Sequence, residues 1–167
     1  VDAIMLAGET AIGLYPIKAV QTLDAIIRDA EAMPPAGLAT LQDSRLLGGR
    51  GRAICEAAVT MAARGDASAI VAMTHGGKTA RLLSALRPRV PIYAATDQPE
   101  ISRRLALAWG VVPLLVDSSG DVTDVASRIG AMLVARGSIA ASSVIVLVSI
   151  TPDLARGPSN FLKLQKV

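Results

Sequence analysis

The chain has 167 residues, with 17 Lys plus Arg against 14 Asp plus Glu and a net charge of +3. Hydrophobic residues make up 51% and charged residues 19%, a balance that excludes a disordered chain. Aromatic residues make up only 2%, so the core must be built from Ala, Leu, Ile and Val, and the scarcity of rings argues against a base-stacking platform for nucleic acid.

The chain opens on Ala3-Ile4-Met5-Leu6, which reads as a buried strand. One terminal strand cannot bury both faces by itself, and the first residue is Val1, so the sequence reads as a piece of something longer. Gly8-Glu9-Thr10 follows, with Glu9 placed either to cap the next turn or to do chemistry. Pro16 opens a helix that runs to about Met33, with Val20, Leu23, Ile26 and Ile27 at helical spacing. Pro34-Pro35 ends it. Residues 36–51 resemble a linker, and Arg52 to Arg64 form an Ala-rich helix. Domains are expected at 1–35 and 36–167.

From Ala69 the pattern alternates. Strands are expected at Ala69–Met73, Pro91–Ala95, Val111–Val116 and Ser143–Ser149. Helices fall between them: Lys78 to Leu86, a segment capped by Thr96-Asp97 and running to Trp109, and Asp121 to Arg136. Phe161 to Val167 forms a last strand, with no helix before it. This order predicts a three-layer α/β/α sandwich. Its sheet has about five strands, parallel except for an antiparallel last strand. The apolar strands should be buried on both faces.

The chemistry is sparse. One Cys excludes an internal disulfide, and one His with one Cys excludes most His- and Cys-based metal sites. The basic residues are scattered, which argues against nucleic acid. No apolar run is long enough to cross a membrane and no leader is apparent, so a cytoplasmic protein is expected. One loop stands out: Thr74-His75-Gly76-Gly77-Lys78-Thr79, between a strand end and a helix start. Its glycines let an anion approach, its amides and the helix dipole favour negative charge, and Lys78 adds a cation. Phosphate is the natural guest, and a plain glycine turn with a Thr cap is the alternative. The spacing fits neither a Walker A loop nor a dinucleotide fingerprint. No carboxylate lies near His75 in sequence. Arg156-Gly157-Pro158-Ser159 forms a second polar turn, which the topology should bring near the first.

These residues resemble a known family. Asp2-Ala3-Ile4-Met5-Leu6-Ala7-Gly8-Glu9-Thr10-Ala11 with Gly13 and Tyr15-Pro16 is similar to a segment of pyruvate kinases. So are Thr74 to Ala80, Arg87-Pro88-Arg89-Val90-Pro91-Ile92-Tyr93-Ala94, Trp109-Gly110-Val111-Val112-Pro113, and Gly157-Pro158-Ser159-Asn160 with Leu162-Lys163-Leu164. The resemblance implies the C-terminal part of that enzyme. Residues up to about Met33 would be the last βα unit of its (β/α)8 barrel, and the rest its C-terminal α/β domain. The family transfers a phosphoryl group from phosphoenolpyruvate to ADP with Mg²⁺ and K⁺, giving pyruvate and ATP. Its catalytic and metal-binding residues lie in segments outside this chain. The chain is therefore expected to be inactive alone and to bind no cofactor. The resemblance places Ala7, Gly8, Glu9 and Thr10 on the nucleotide side of the barrel. It assigns Thr74, His75, Gly76, Gly77, Lys78, Thr79, Arg156, Gly157 and Ser159 to a phosphorylated effector, and it implies a homo-oligomer, tetrameric in the full enzyme. Ala7 and Gly76 stand where the family usually has Ser, and Pro158 and Ser159 alter the second loop. A stand-alone module for phosphorylated metabolites is the alternative.

Overall fold

The computed structural model describes residues 2–33, 49–117, 119–151 and 160–167. The chain divides into two compact units, Val1–Gln42 and Asp43–Val167.

The first unit contains a single helical turn, α1 (Gly8–Ala11), and a long helix, α2 (Pro16–Ala32). Pro16 occupies the first turn of α2, where its missing N–H costs nothing. Gly13 is required by space, since a Cβ there would run into the Glu9 carbonyl. Neither helix has a buried residue. Ile12 and Leu14 before α2 and Ile17, Val20 and Ile26 within it are exposed, while Leu23 and Ile27 are half-buried, so the apolar stripe of α2 is only partly covered within this unit. Ala3 to Leu6, expected as a strand, form none. A strand needs a neighbour to satisfy its backbone groups, and this unit supplies no other strand among its described residues.

The second unit is built on β1 (Ala69–Met73), β2 (Ile92–Thr96), β3 (Val111–Leu115), β4 (Val144–Ser149) and β5 (Phe161–Lys166). The order is β3-β2-β1-β4-β5. All pairs are parallel except β4 with β5, as the missing helix between those two strands requires. The expected five-stranded mixed sheet is therefore present.

Side chains alternate across the sheet. Ala69, Val71, Tyr93, Ala95, Leu114, Ile145 and Leu147 form one apolar cluster with Val125, Ala126, Ile129 and Leu133. The last four belong to α6 (Val122–Ala135). The alternate residues Ile70, Ala72, Ile92, Ala94, Val146 and Val148 are equally buried and face the opposite layer. That layer holds α3 (Gly49–Arg64), α4 (Lys78–Ala85) and α5 (Pro99–Leu105). The β1, β2 and β4 strands are thus covered on both sides. The edge strand β3 is not, since Val112 and Leu115 reach solvent. Its Pro113, which lacks a donor, sits where an edge strand tolerates it.

Small residues set the closest approach. Gly51, Cys55, Ala58 and Ala62 line the buried face of α3 at helical spacing. At Gly130 in α6 a Cβ would overlap Val167 Cγ1, so the last residue can lie directly on that helix. Arg87 stacks its guanidinium 4.6 Å from the Trp109 ring centroid, and Ser84 Oγ donates to the Trp109 carbonyl at 2.6 Å. These contacts tie the end of α4 to the turn before β3.

Burial pushes the Cys55 thiol up to about 12, with the Glu56 charge adding to the effect. Because the thiolate is the reactive form, native Cys55 should resist iodoacetamide at pH 8. Its labelling should be roughly a hundredfold slower than in denaturant, as read by mass spectrometry. Equal rates in both conditions would contradict the packing of α3.

Candidate functional site

The connections β1–α4–β2 and β2–α5–β3 move outward along the sheet on one face. The chain then returns through α6 on the other face to place β4 beside β1. The connections that leave the carboxyl ends of β1 and β4 therefore run in opposite directions along the sheet. Open α/β sheets bind ligands at such a switch point. Met73 and Ser149, the last paired residues of the two strands, stand side by side in register. The loop after β1 begins at Thr74, and the connection from β4 to β5 begins at Ile150. The topology thus brings the starts of the two sequence-selected loops together. Arg156, Gly157 and Ser159 lie outside the described residues. The described ends of their connection are joined by a bond from Thr151 N to Asn160 Oδ1.

The loop after β1 is folded by its own groups. Thr74 N donates to the Ala95 carbonyl at 2.9 Å, extending the β1–β2 ladder. Thr74 Oγ1 accepts from Gly77 N at 3.0 Å, so that amide serves the turn and not a ligand. Gly77 caps α4 in the left-handed region, with φ of 77°. Thr79 is only 3% exposed and lies with Ala80, Leu82 and Leu83 on the core side of α4. Its hydroxyl is turned away from solvent, which the sequence pattern did not reveal. Lys78, His75 and Gly76 remain exposed. The first-turn amides of α4 lack intrahelical partners by helix geometry, and no side chain among the described residues caps them.

His75 Nδ1 lies 3.1 Å from Asp97 Oδ1. Asp97 also accepts from Gln98 Nε2 at 3.0 Å, and Thr96 Oγ1 approaches the His75 carbonyl at 3.5 Å. Sequence reasoning placed Thr96-Asp97 as a helix cap. In fact Gln98 is the N-cap residue of α5, without a side-chain cap bond, and Thr96 Oγ1 accepts from Gln98 N at 3.2 Å. The His75–Asp97 contact follows from the strand register, which the sequence alone did not give. Each residue stands two positions beyond a member of the Met73–Ala95 pair on neighbouring parallel strands.

In the first unit, Ala7 is the N-cap of α1, and its carbonyl accepts from Thr10 N and Ala11 N. Thr10 Oγ1 donates to the same oxygen at 3.2 Å. Glu9 Oε2 accepts from Ala7 N at 3.1 Å, so of its two expected roles the local cap is the one formed. Bonds from the backbone N–H groups of Glu9 and Ala7 hold its carboxyl below the usual range.

Among the described residues no group of three His, Cys, Asp or Glu side chains could hold a metal ion. No described helix is long and apolar enough to cross a membrane.

Comparison with known proteins agrees with this architecture. The family model described as "Pyruvate kinase, alpha/beta domain" matches residues 52–165. A pyruvate kinase of Clostridium acetobutylicum is 34% identical over 99% of this chain and 35% of its own length. One from Staphylococcus aureus is 31% identical over 99% of this chain and 28% of its own. A crystal structure of a Cryptosporidium parvum pyruvate kinase superposes with a TM-score of 0.77 at 28% identity. It covers 97% of this chain, which spans 32% of that one. The same organism's enzyme in complex with ADP gives 0.74. The chain thus spans about a third of the length of the relatives it matches. Since the family match takes in both faces of the sheet and the loop after β1, the chain belongs to the pyruvate kinase family and carries its C-terminal α/β domain.

Proposed function

We propose that this chain is the regulatory and subunit-assembly portion of a cytoplasmic, glycolytic pyruvate kinase. The whole enzyme would transfer a phosphoryl group from phosphoenolpyruvate to ADP, yielding pyruvate and ATP, with Mg²⁺ and K⁺ held by parts outside this chain. Ala7 to Thr10 would border its nucleotide side. The chain by itself is inactive in this reading, since it spans only a third of its relatives. A Mg²⁺-dependent turnover by the pure chain above the buffer rate would refute that.

The α/β unit binds a phosphorylated effector at Thr74 to Lys78, with Arg156, Gly157 and Ser159 completing the site. The observation that carries this reading is the position of the loop. It lies at the switch point of the sheet, opening α4 with Lys78 exposed. Strand β5 supports self-association, because it is an outer strand of the sheet among the described residues and its Leu164 is 43% exposed.

Titration with a panel of sugar phosphates and nucleotides tests the effector site. Lys78→Ala should weaken binding by about tenfold, the loss of one charge-assisted bond. Gly76→Ser restores a hydroxyl in open space and should strengthen it by about two- to tenfold. If no phosphorylated compound binds either the wild type or Gly76→Ser, only the assembly role remains.

A further inference from the structure

β3 is an outer strand of the sheet among the described residues. Its sequence, Val111-Val112-Pro113-Leu114-Leu115, carries no charge. Val112 is 44% and Leu115 56% exposed, and their side chains leave opposite faces of the sheet. A short apolar strand at the rim of a sheet is a ready template for pairing with another chain. β5, at the other rim, carries Lys163 and Lys166. Charge of that kind commonly protects an outer strand, and β3 has none.

The register shows what replaces it. Ile92 N donates to the Gly110 carbonyl at 2.9 Å, and Val116 N donates to the Thr96 carbonyl at 2.9 Å. Backbone groups point to alternate sides along a strand, so Gly110, Val112, Leu114 and Val116 turn theirs toward β2. Val111, Pro113 and Leu115, the register partners of Ile92, Ala94 and Thr96, turn theirs outward. Val111 N already donates to the Ala108 carbonyl at 3.2 Å, inside the turn that enters the strand. Pro113 has no N–H. At most Leu115 N–H is left to serve an incoming strand. Such a strand would bring carbonyls to this edge that find no donor, and a polar group buried without a partner costs as much as a hydrogen bond contributes, or more. We propose that Pro113, together with the Val111 turn bond, closes the outer edge of β3 to strand addition. The apolar rim thereby excludes extended partners, the same strand of a second copy included.

Pro113→Val returns an N–H to the middle of the edge and keeps a strand former there. At equal concentration the variant chain should place about fivefold more protein than the wild type in large assemblies, read by sedimentation velocity. Adding Leu115→Lys puts a charge on the rim and should bring that fraction back to the wild-type level. A folded Pro113→Val chain that assembles like the wild type would overturn the proposal. So would a double variant that assembles as much as the single one, since growth would then not run through this edge. Hydrogen exchange of the wild type tests the edge without any variant. The Leu115 amide should exchange at least about tenfold faster than those of Val111, Val112 and Leu114. Equal protection of Leu115 and Leu114 would mean that the edge does accept a strand. Exchange of Val111 as fast as that of Leu115 would mean that its donor is free. Either result sinks the proposal.

Discussion

Replacing Leu147 by Ala is expected to destabilise the α/β unit by about 3–5 kcal/mol. Leu147 is 1% exposed. It sits on β4, opposite Val71 of β1 and Lys163 of β5, in the cluster that α6 covers. A cavity there is bounded by the sheet on one side and a helix on the other, so little can collapse into it. The loss is a large part of the roughly 5–15 kcal/mol that stabilises a typical domain. The melting temperature should fall by roughly 10–20 °C. Leu147→Met conserves volume and should cost less than about 1.5 kcal/mol. Chemical denaturation of both variants measures the contrast. A cost below about 1 kcal/mol for the Ala variant would show that this face is not close-packed.

Gly77→Val combines two penalties in one position. With φ at 77°, an L side chain is strained by roughly 1–2 kcal/mol. A Cβ would also stand 3.1 Å from Ile101 Cγ2 and 3.3 Å from Leu105 Cδ2, which adds overpacking of about 1–3 kcal/mol. A total loss of about 2–5 kcal/mol is expected. The loop should shift with it, because Gly77 N is the donor that Thr74 Oγ1 holds. Gly76→Ala makes the control. No atom lies within 4 Å of its Cβ position, so it should stay within about 0.5 kcal/mol of wild type. Equal losses for the two variants would mean that the left-handed cap is not fixed by the fold.

The sheet was legible because its strands are short Val, Ile and Ala runs buried on both faces, such as Ile70-Val71-Ala72 and Ile145-Val146-Leu147. Their alternation with helices then dictated parallel pairing. The segment after β2 was read too long, as a helix from Thr96-Asp97 to Trp109. Leu107 and Trp109 continue the apolar spacing, yet α5 ends at Leu105, and Leu107 is exposed. Nothing local distinguishes a helical turn from the looser turns that lead to Gly110.

The candidate loop was legible as glycines between a strand and a helix. Its working parts were less so. That Thr79 faces the core follows from how α4 docks on β1 and β2, a tertiary matter. The His75–Asp97 contact depends on the register of two parallel strands, which residue spacing alone does not supply. The first unit shows the converse. Ala3 to Leu6 have the composition of a strand, but composition cannot provide the neighbouring strand they would need.

The strand order carries a consequence for how the molecule assembles. β1 lies at the centre of the sheet, yet only its pairing with β2 comes from nearby sequence. Its other side is completed by β4, where Ala69 meets Ile145, and β5 must then fold back on β4 from the end of the chain. Loop closure over that span must precede the contacts that reward it. Refolding should therefore be slow for the unit's size, in the millisecond-to-second range. During synthesis β1 waits with one flank open until β4 has left the ribosome, so the half-finished sheet is the species most exposed to aggregation.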